Sequence, residues 1–81
     1  MKKNAENFIN AFYALIERVE AGGCQNGAVE DIDQEYALVM HPKTETICVA
    51  DKQAMRPVRV RKVNDGDPNF IPLYMDYMTA C

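Results

Sequence analysis

Three strand-length segments follow one another at ten-residue intervals, and this spacing constrains the fold more than any other feature. The segments are YALVMH (36–41), TICVA (46–50) and RPVRVRKV (56–63), and the loops between them are PKTE and DKQA. Short loops rich in turn-forming residues join neighbouring antiparallel strands. We therefore predict a three-stranded antiparallel meander.

The loop lengths also predict the register of each hairpin, because a one-residue slip would turn every side chain to the other face. The first hairpin pairs Leu38 with Val49. The second pairs Ile47 with Val58, so Val58 and Val60 would face a covering helix. The same register turns two arginines to the opposite face, Arg59 and Arg61.

An amphipathic N-terminal helix is the expected cover for this sheet. From residue 5 onwards the apolar side chains recur with the three-and-four spacing of a single buried stripe: Ala5, Phe8, Ile9, Phe12, Leu15, Ile16 and Val19. Asn4 is a suitable N-cap, and Gly22 and Gly23 are suitable residues to end the helix. The glycine-rich and acidic segment 22–35 then reads as a loop.

The C-terminal segment allows two interpretations. Residues 64–68 form a loop signal, and Pro72 argues against a central strand, so a short helix beginning near Asp67 or Asn69 is favoured over a strand. This segment would lie at an edge of the sheet or across its second face, unless another subunit covers that face. The predicted fold is one α+β domain over residues 1–81, with one helix on a three-stranded meander and a short C-terminal helix or strand.

Charge is distributed unevenly along the chain. The 81 residues carry a net charge of −3, which argues against general affinity for nucleic acid. Five cations and no acid nevertheless fall between residues 52 and 62. The four acids Glu30, Asp31, Asp33 and Glu35 lie just before the first predicted strand and offer one way to neutralise those cations internally.

Cellular location is predicted from cysteine usage and from hydropathy. The three cysteines are odd in number and widely spaced, which is not typical of a disulfide framework. The N-terminal segment does not have the pattern of a signal peptide, and no apolar run approaches the ~20 residues of a membrane span. We expect a cytoplasmic protein, and a bacterial or phage mobile element as its source.

Candidate catalytic and metal-binding residues are few. Cys24, His41, Cys48 and Cys81 lack the paired spacing of zinc ligands. A second set resembles positions of a calcium loop without its glycine: Asp65, Asp67, Asn69 and Asp76. Cys24 or His41 would need a catalytic partner that the sequence does not identify. We expect no enzyme activity, no metal and no cofactor.

The expected activity is recognition of another protein, as a small inhibitor or adaptor acting on a larger assembly such as a host-defence complex. The predicted partner-binding residues are Arg56, Arg59, Arg61, Lys62, Tyr74 and Tyr77. A homodimer through the open sheet face is a second expectation, and nucleic-acid binding by the basic strand 56–62 is the alternative function. The competing structural interpretation is edge protection, since Pro57 and charged side chains discourage pairing with another sheet.

Overall fold

Two helices and a four-stranded antiparallel sheet make up the computed structural model, which describes residues 3–63 and 67–80. The elements in chain order are α1 (Ala5–Ala21), β1 (Ala28–Asp31), β2 (Tyr36–His41), β3 (Thr46–Asp51), β4 (Arg56–Lys62) and α2 (Phe70–Thr79). The strands are neighbours in sequence order, β1-β2-β3-β4. The predicted α+β class is confirmed, but the meander has four strands and not three.

Helix α1 begins and ends where the sequence predicts. The side chain of Asn4 accepts a hydrogen bond from the Asn7 amide at 3.2 Å, and Gly22 ends the helix with φ 87°. Glycine adopts this positive φ without the steric penalty that other residues have. The helix buries four side chains against the sheet, Phe8, Ala11, Phe12 and Leu15.

Strand β1 lies inside the segment that the sequence predicts to be a loop. It has only four residues and two of them are acidic, so it lacks the apolar alternation that marks a strand. Tertiary contacts stabilise it: Arg18 of α1 donates hydrogen bonds to the Val29 carbonyl at 2.7 Å and to the Glu30 carboxylate at 2.6 Å. Ala28 is buried beneath the helix.

The predicted register is confirmed for the β2–β3 hairpin, where Leu38 lies opposite Val49 and Val39 lies opposite Cys48. It is wrong for the β3–β4 hairpin. The second loop ends at Met55, so Asp51 pairs with Arg56, two residues away from the predicted pairing. A shift of two residues would leave every side chain on its predicted face.

A β-bulge changes the faces of β4. Ala50 pairs with Pro57, but the next residue of β3, Val49, pairs with Arg59, which leaves Val58 as the extra residue. Beyond Val58, each side chain of β4 therefore lies on the other face of the sheet from the one predicted. Arg59 and Arg61 therefore lie on the helix side of the sheet, and Val60 lies on the other, contrary to the prediction.

The C-terminal segment forms helix α2, as favoured from the sequence, and it packs beside α1 on the first face of the sheet, over β3 and β4. Leu73 and Tyr77 are completely buried. Asn69 precedes the helix with φ 65°, and its side chain donates to the Lys62 carbonyl at 2.7 Å instead of capping α2. The expectation that this segment crosses the second face is therefore wrong.

Tyr77 joins three parts of the chain through its hydroxyl group. It donates to the Asp33 carboxylate at 2.7 Å and accepts from the Asn4 amide at 3.1 Å. The other Asp33 carboxylate oxygen accepts from the amides of Glu35 and Tyr36, both at 2.8 Å. The N-terminus of α1, the β1–β2 turn and α2 are thus held together at one point.

These contacts shift the pKa values of both side chains. Burial alone would raise the pKa of Asp33, but the hydrogen bonds from Tyr77 and the two backbone amides outweigh it and hold that pKa below its usual value. The pKa of Tyr77 is raised, first by burial and also by the neighbouring Asp33 carboxylate. Each group therefore favours the state in which the phenol is neutral and the carboxylate is charged.

Replacing Tyr77 by Phe removes the hydroxyl group and keeps the ring. We expect Tyr77→Phe to lower the free energy of unfolding by about 1.5–3 kcal/mol, because a hydrogen bond to a charged carboxylate is lost. Urea denaturation measures this change. Tyr74→Phe is the matched control on the same helix and should change stability by less than about 0.5 kcal/mol. Equal losses for the two variants would contradict this role of Tyr77.

Candidate functional site

The face of the sheet that is turned away from both helices forms an apolar groove of about 600 Å³. Successive side chains of a strand point to opposite faces, so one set packs under the helices and the other lines this groove. The groove set comes from all four strands and includes Val29, Ala37, Val39, Cys48, Ala50 and Val60. No described element covers these residues (3–63 and 67–80).

The groove has a low floor and raised walls. Ala37 and Cys48 on the central strands are only 2% and 9% exposed, although no helix packs over them. At the two edges Val29 is 53% exposed and Val60 is 57% exposed. Met55, in the loop at one end, is 86% exposed. Ala37, Cys48 and Ala50 on the central strands are smaller than the valines at the edges, whereas Val39 on β2 matches its edge neighbour Val29 in size. The face is apolar and is lowest over the three small residues.

Met55 is held in an unfavourable backbone conformation at the rim of the groove. Its φ is 54°, in the left-handed region that non-glycine residues seldom adopt. Glu45 occupies the corresponding last position of the other four-residue loop and has φ 55°. Of these two loop residues, Met55 lines the groove and Glu45 does not. Asparagine or glycine would adopt this backbone conformation at a lower energy cost. The position nevertheless carries a long, exposed apolar side chain.

The thiol and the imidazole at the groove are not arranged as a reactive pair. Burial raises the pKa of the Cys48 thiol, which makes its nucleophilic thiolate scarcer at neutral pH. Cys48 pairs with Val39 on one side and Val60 on the other, as expected for a small hydrophobic residue. His41 is exposed at the end of β2, two residue pairs from Cys48. The groove is suited to apolar contact.

Arg61, one of the predicted partner-binding residues, makes an internal ion pair. Its guanidinium donates two hydrogen bonds to the carboxylate of Asp76 on α2, at 2.7 and 2.8 Å. The two side chains are only 23% and 12% exposed. Hydrogen bonding to Asp76 raises the pKa of Arg61 above its ordinary value. This pair joins α2 to β4.

The other predicted cations of β4 are exposed. Arg56 lies at one end of the groove and lines it, whereas Arg59 lies on the helix side of the sheet. Among the described residues no hydrogen bond or ion pair joins either arginine to another side chain. Lys62, at the far end of β4, donates to the Thr44 carbonyl at 3.0 Å.

The two predicted tyrosines belong to the hydrophobic core. Tyr77 is completely buried and bonded to Asp33. Tyr74 is half-buried, and its ring centroid lies 5.5 Å from that of Phe8. The six residues predicted from sequence are therefore not brought together as one surface. Only Arg56 borders the groove.

The acidic residues between 30 and 35 form no ion pair with the arginines of β4 among the described residues. Internal neutralisation of those arginines was one alternative offered by the sequence. Glu30 pairs with Arg18, and the Asp31 carboxylate lies 3.4 Å from the Lys52 ammonium. The Lys52 ammonium also donates to the Asp33 carbonyl at 2.9 Å. Charges of both signs therefore lie at this end of the groove, where Asp51, Lys52 and Arg56 line it and Asp31 lies beside Lys52.

Among residues 3–63 and 67–80, no group of three or more His, Cys, Asp or Glu side chains is placed to hold a metal ion. In the calcium-like set, the Asp76 carboxylate binds Arg61 and the Asp67 carboxylate accepts from the Asn69 amide at 2.9 Å. Asp65 and Cys81, which the sequence also placed among candidate ligands, lie outside the described residues.

Sequence reasoning missed Val29 and Met55 as groove residues. Val29 belongs to the strand that was predicted to be loop. Met55 directly follows the predicted DKQA loop, and its exposure depends on a backbone conformation that the residue type disfavours. The order of the strands and the apolar side chains at 37, 39, 48 and 50 did indicate an uncovered face.

Comparisons with protein-family models, with curated protein sequences and with solved structures gave no significant match. Neither described helix has the length and hydropathy needed to cross a bilayer.

Breaking the Arg61–Asp76 pair tests whether this contact is structural. We expect Arg61→Ala to lower the free energy of unfolding by about 1.5–3 kcal/mol, because the shielded Asp76 carboxylate loses both charged hydrogen bonds. Arg59→Ala, two residues earlier on the same face, should change it by less than about 0.5 kcal/mol. Urea denaturation of both variants measures the difference. A loss for Arg59→Ala as large as for Arg61→Ala would contradict the assignment.

Proposed function

We propose that this protein is a non-catalytic protein-binding module that acts as an inhibitor or adaptor of a larger assembly, such as a host-defence complex. The observation that carries the proposal is the uncovered apolar groove. Both helices pack on the opposite face, so Val29, Val60 and Met55 are left exposed together around a shielded floor. Contiguous apolar surface of this kind marks interaction sites in soluble proteins.

The composition of the groove favours a protein partner. Methionine and valine side chains supply apolar contact area, and Met adapts to irregular partner surfaces. The charged groups lie at one end, where Asp51, Lys52 and Arg56 line the groove and Asp31 lies next to it on β1. An apolar centre with a charged rim is the usual composition of protein–protein interfaces.

Nucleic-acid binding by strand 56–62 is the alternative function and has less support. Arg56, Arg59 and Lys62 are exposed, which this alternative requires. However, Arg61 is committed to Asp76, and Arg59 lies on the other face of the sheet from the groove. Non-specific single-strand binders also stack bases on aromatic side chains, and none lies on β4.

A pull-down from nuclease-treated lysate of the source cells tests the proposal. Val60→Lys places a charge in the groove at an exposed position, and Ile71→Lys is the matched control, since Ile71 is 66% exposed on α2. We expect the native protein and Ile71→Lys to retain the same partner, and Val60→Lys to lose at least about 90% of it, a tenfold drop equivalent to about 1.4 kcal/mol.

The captured partner must then bind the purified protein without other components. Its assembly or activity, assayed with and without the native protein, separates an inhibitor from an adaptor. If Val60→Lys captures the same partner as strongly as the native protein, the groove is not the binding surface. Retention only of nucleic acid, with binding that falls steeply as salt is raised, would favour the alternative.

A further inference from the structure

We infer that the occupant of the groove is an amphipathic α-helix of a partner protein, with acidic side chains along the border that lies next to Arg56. This inference rests on the proposed function, since it names the kind of partner segment that the same groove takes. It is supported by the shape of the groove, by its length and by the placement of its charges.

The shape of the groove fits a convex partner. Its floor is made of small or shielded side chains such as Ala37 and Cys48, and its walls are the exposed Val29, Val60 and Met55. Large side chains projecting from one stripe of a helix would fill the space above the floor. Helices that bind proteins in grooves use apolar anchors at three- and four-residue spacing in this way.

A second copy of this chain fits less well. Two copies related by a two-fold axis would place floor against floor, which leaves a void where protein interfaces need close packing. The sheet face is also small. Four strands about 4.8 Å apart and about 3.3 Å per residue over six residues give a face of roughly 400 Å². A stable interface of standard size buries about 800 Å² on each partner, so this face alone is too small for a stable dimer.

The length of the groove sets the length of the helix. Six-residue strands extend for about 20 Å, and a helix rises about 1.5 Å per residue, so about 13 residues span the groove. An interface of this size belongs to the weak or transient class. A dissociation constant of roughly micromolar order is therefore expected.

The charges favour acidic residues on that helix. Arg56 lines the groove end, and among the described residues no side chain forms an ion pair with its guanidinium. Lys52 also lines the groove, and its ammonium is held near Asp31 and the Asp33 carbonyl. Asp51 lies opposite Arg56 on β3 and also lines the groove. One oxygen of its carboxylate accepts from the amides of Gln53 and Ala54, and no ion pair joins it to Arg56 among the described residues. The Arg56 guanidinium therefore remains available to a carboxylate of the partner.

Selection from peptide libraries tests the inference with defined probes. Two displayed libraries of 14-residue peptides are used, one built on a helix-forming framework and one on an extended framework, each with apolar and charged positions randomised. The full chain is the bait. We expect enrichment of helical peptides with one apolar stripe flanked by Asp or Glu, and protection of groove amides when such a peptide is added in NMR titrations.

Matched variants locate the contacts of a selected peptide. Arg56→Glu should weaken its binding at least about tenfold, whereas Arg59→Glu on the other face should leave it unchanged. Met55→Asn removes the apolar wall while supplying a residue that tolerates positive φ, and should also weaken binding about tenfold. Glu45→Asn, at the equivalent backbone position outside the groove, should have no effect. Circular dichroism checks that every variant is folded.

Three results would overturn the inference. The first is enrichment of extended, basic or uncharged peptides; the second is no enrichment above that obtained with Val60→Lys as bait. The third is concentration-dependent dimerisation in sedimentation velocity that Val60→Lys abolishes, because a second copy would then occupy the groove. If any of these occurs while the lysate partner still depends on Val60, the proposed function stands and only the helical, acidic nature of the occupant is wrong.

Discussion

The bidentate ion pair between Arg61 and Asp76 fastens the C-terminal helix to the same side of the sheet that α1 covers. Arg61 reaches that side because the bulge at Val58 reverses the faces of β4 beyond Pro57. The two hydrogen bonds are short, at 2.7 and 2.8 Å, and the pair is largely shielded from water, where charged hydrogen bonds are stronger. Without the bulge, Val60 would face α2 and the guanidinium would point into the groove.

The position of α2 in turn organises the rest of the molecule. With α2 beside α1, Tyr77 reaches Asp33 in the β1–β2 turn and the amide of Asn4 before α1, and Phe8 packs against Tyr77 with ring centroids 5.8 Å apart. One face of the sheet thereby obtains a complete core. The opposite face has no cover from the described residues, so the groove is a direct consequence of the same arrangement.

Local sequence signals predicted those parts of the fold that depend on local physics. The Asn4 cap of α1, the buried Phe8, Phe12 and Leu15 of its stripe and the β2–β3 register were predicted correctly, because periodicity and loop length determine them. Ile9 was wrongly placed in the buried stripe, since it is 38% exposed, and the buried Ala11 was missed. Strand β1 was missed because contacts with other elements hold it, namely its pairing with β2, the burial of Ala28 and the hydrogen bonds from Arg18. The faces of β4 were reversed because loop length does not indicate the bulge at Val58, which turns Arg61 toward Asp76, fifteen residues away. The candidate site differs from the predicted one accordingly: Arg61 and Tyr77 make structural contacts, and Met55 lines the groove.

Solvent accessibility of the valine methyl groups tests the central claim that both helices share one face and leave the other open. The measurement is paramagnetic relaxation by a soluble, neutral agent on the methyl-labelled protein at low concentration. We predict strong relaxation for Val29 and Val60, which are 53% and 57% exposed, and almost none for Val49, which is fully buried on the helix side. Protection of the Val60 methyl groups together with relaxation of the Val49 methyl groups would mean that the helices cover the Val60 face of the sheet. That result would contradict the arrangement described.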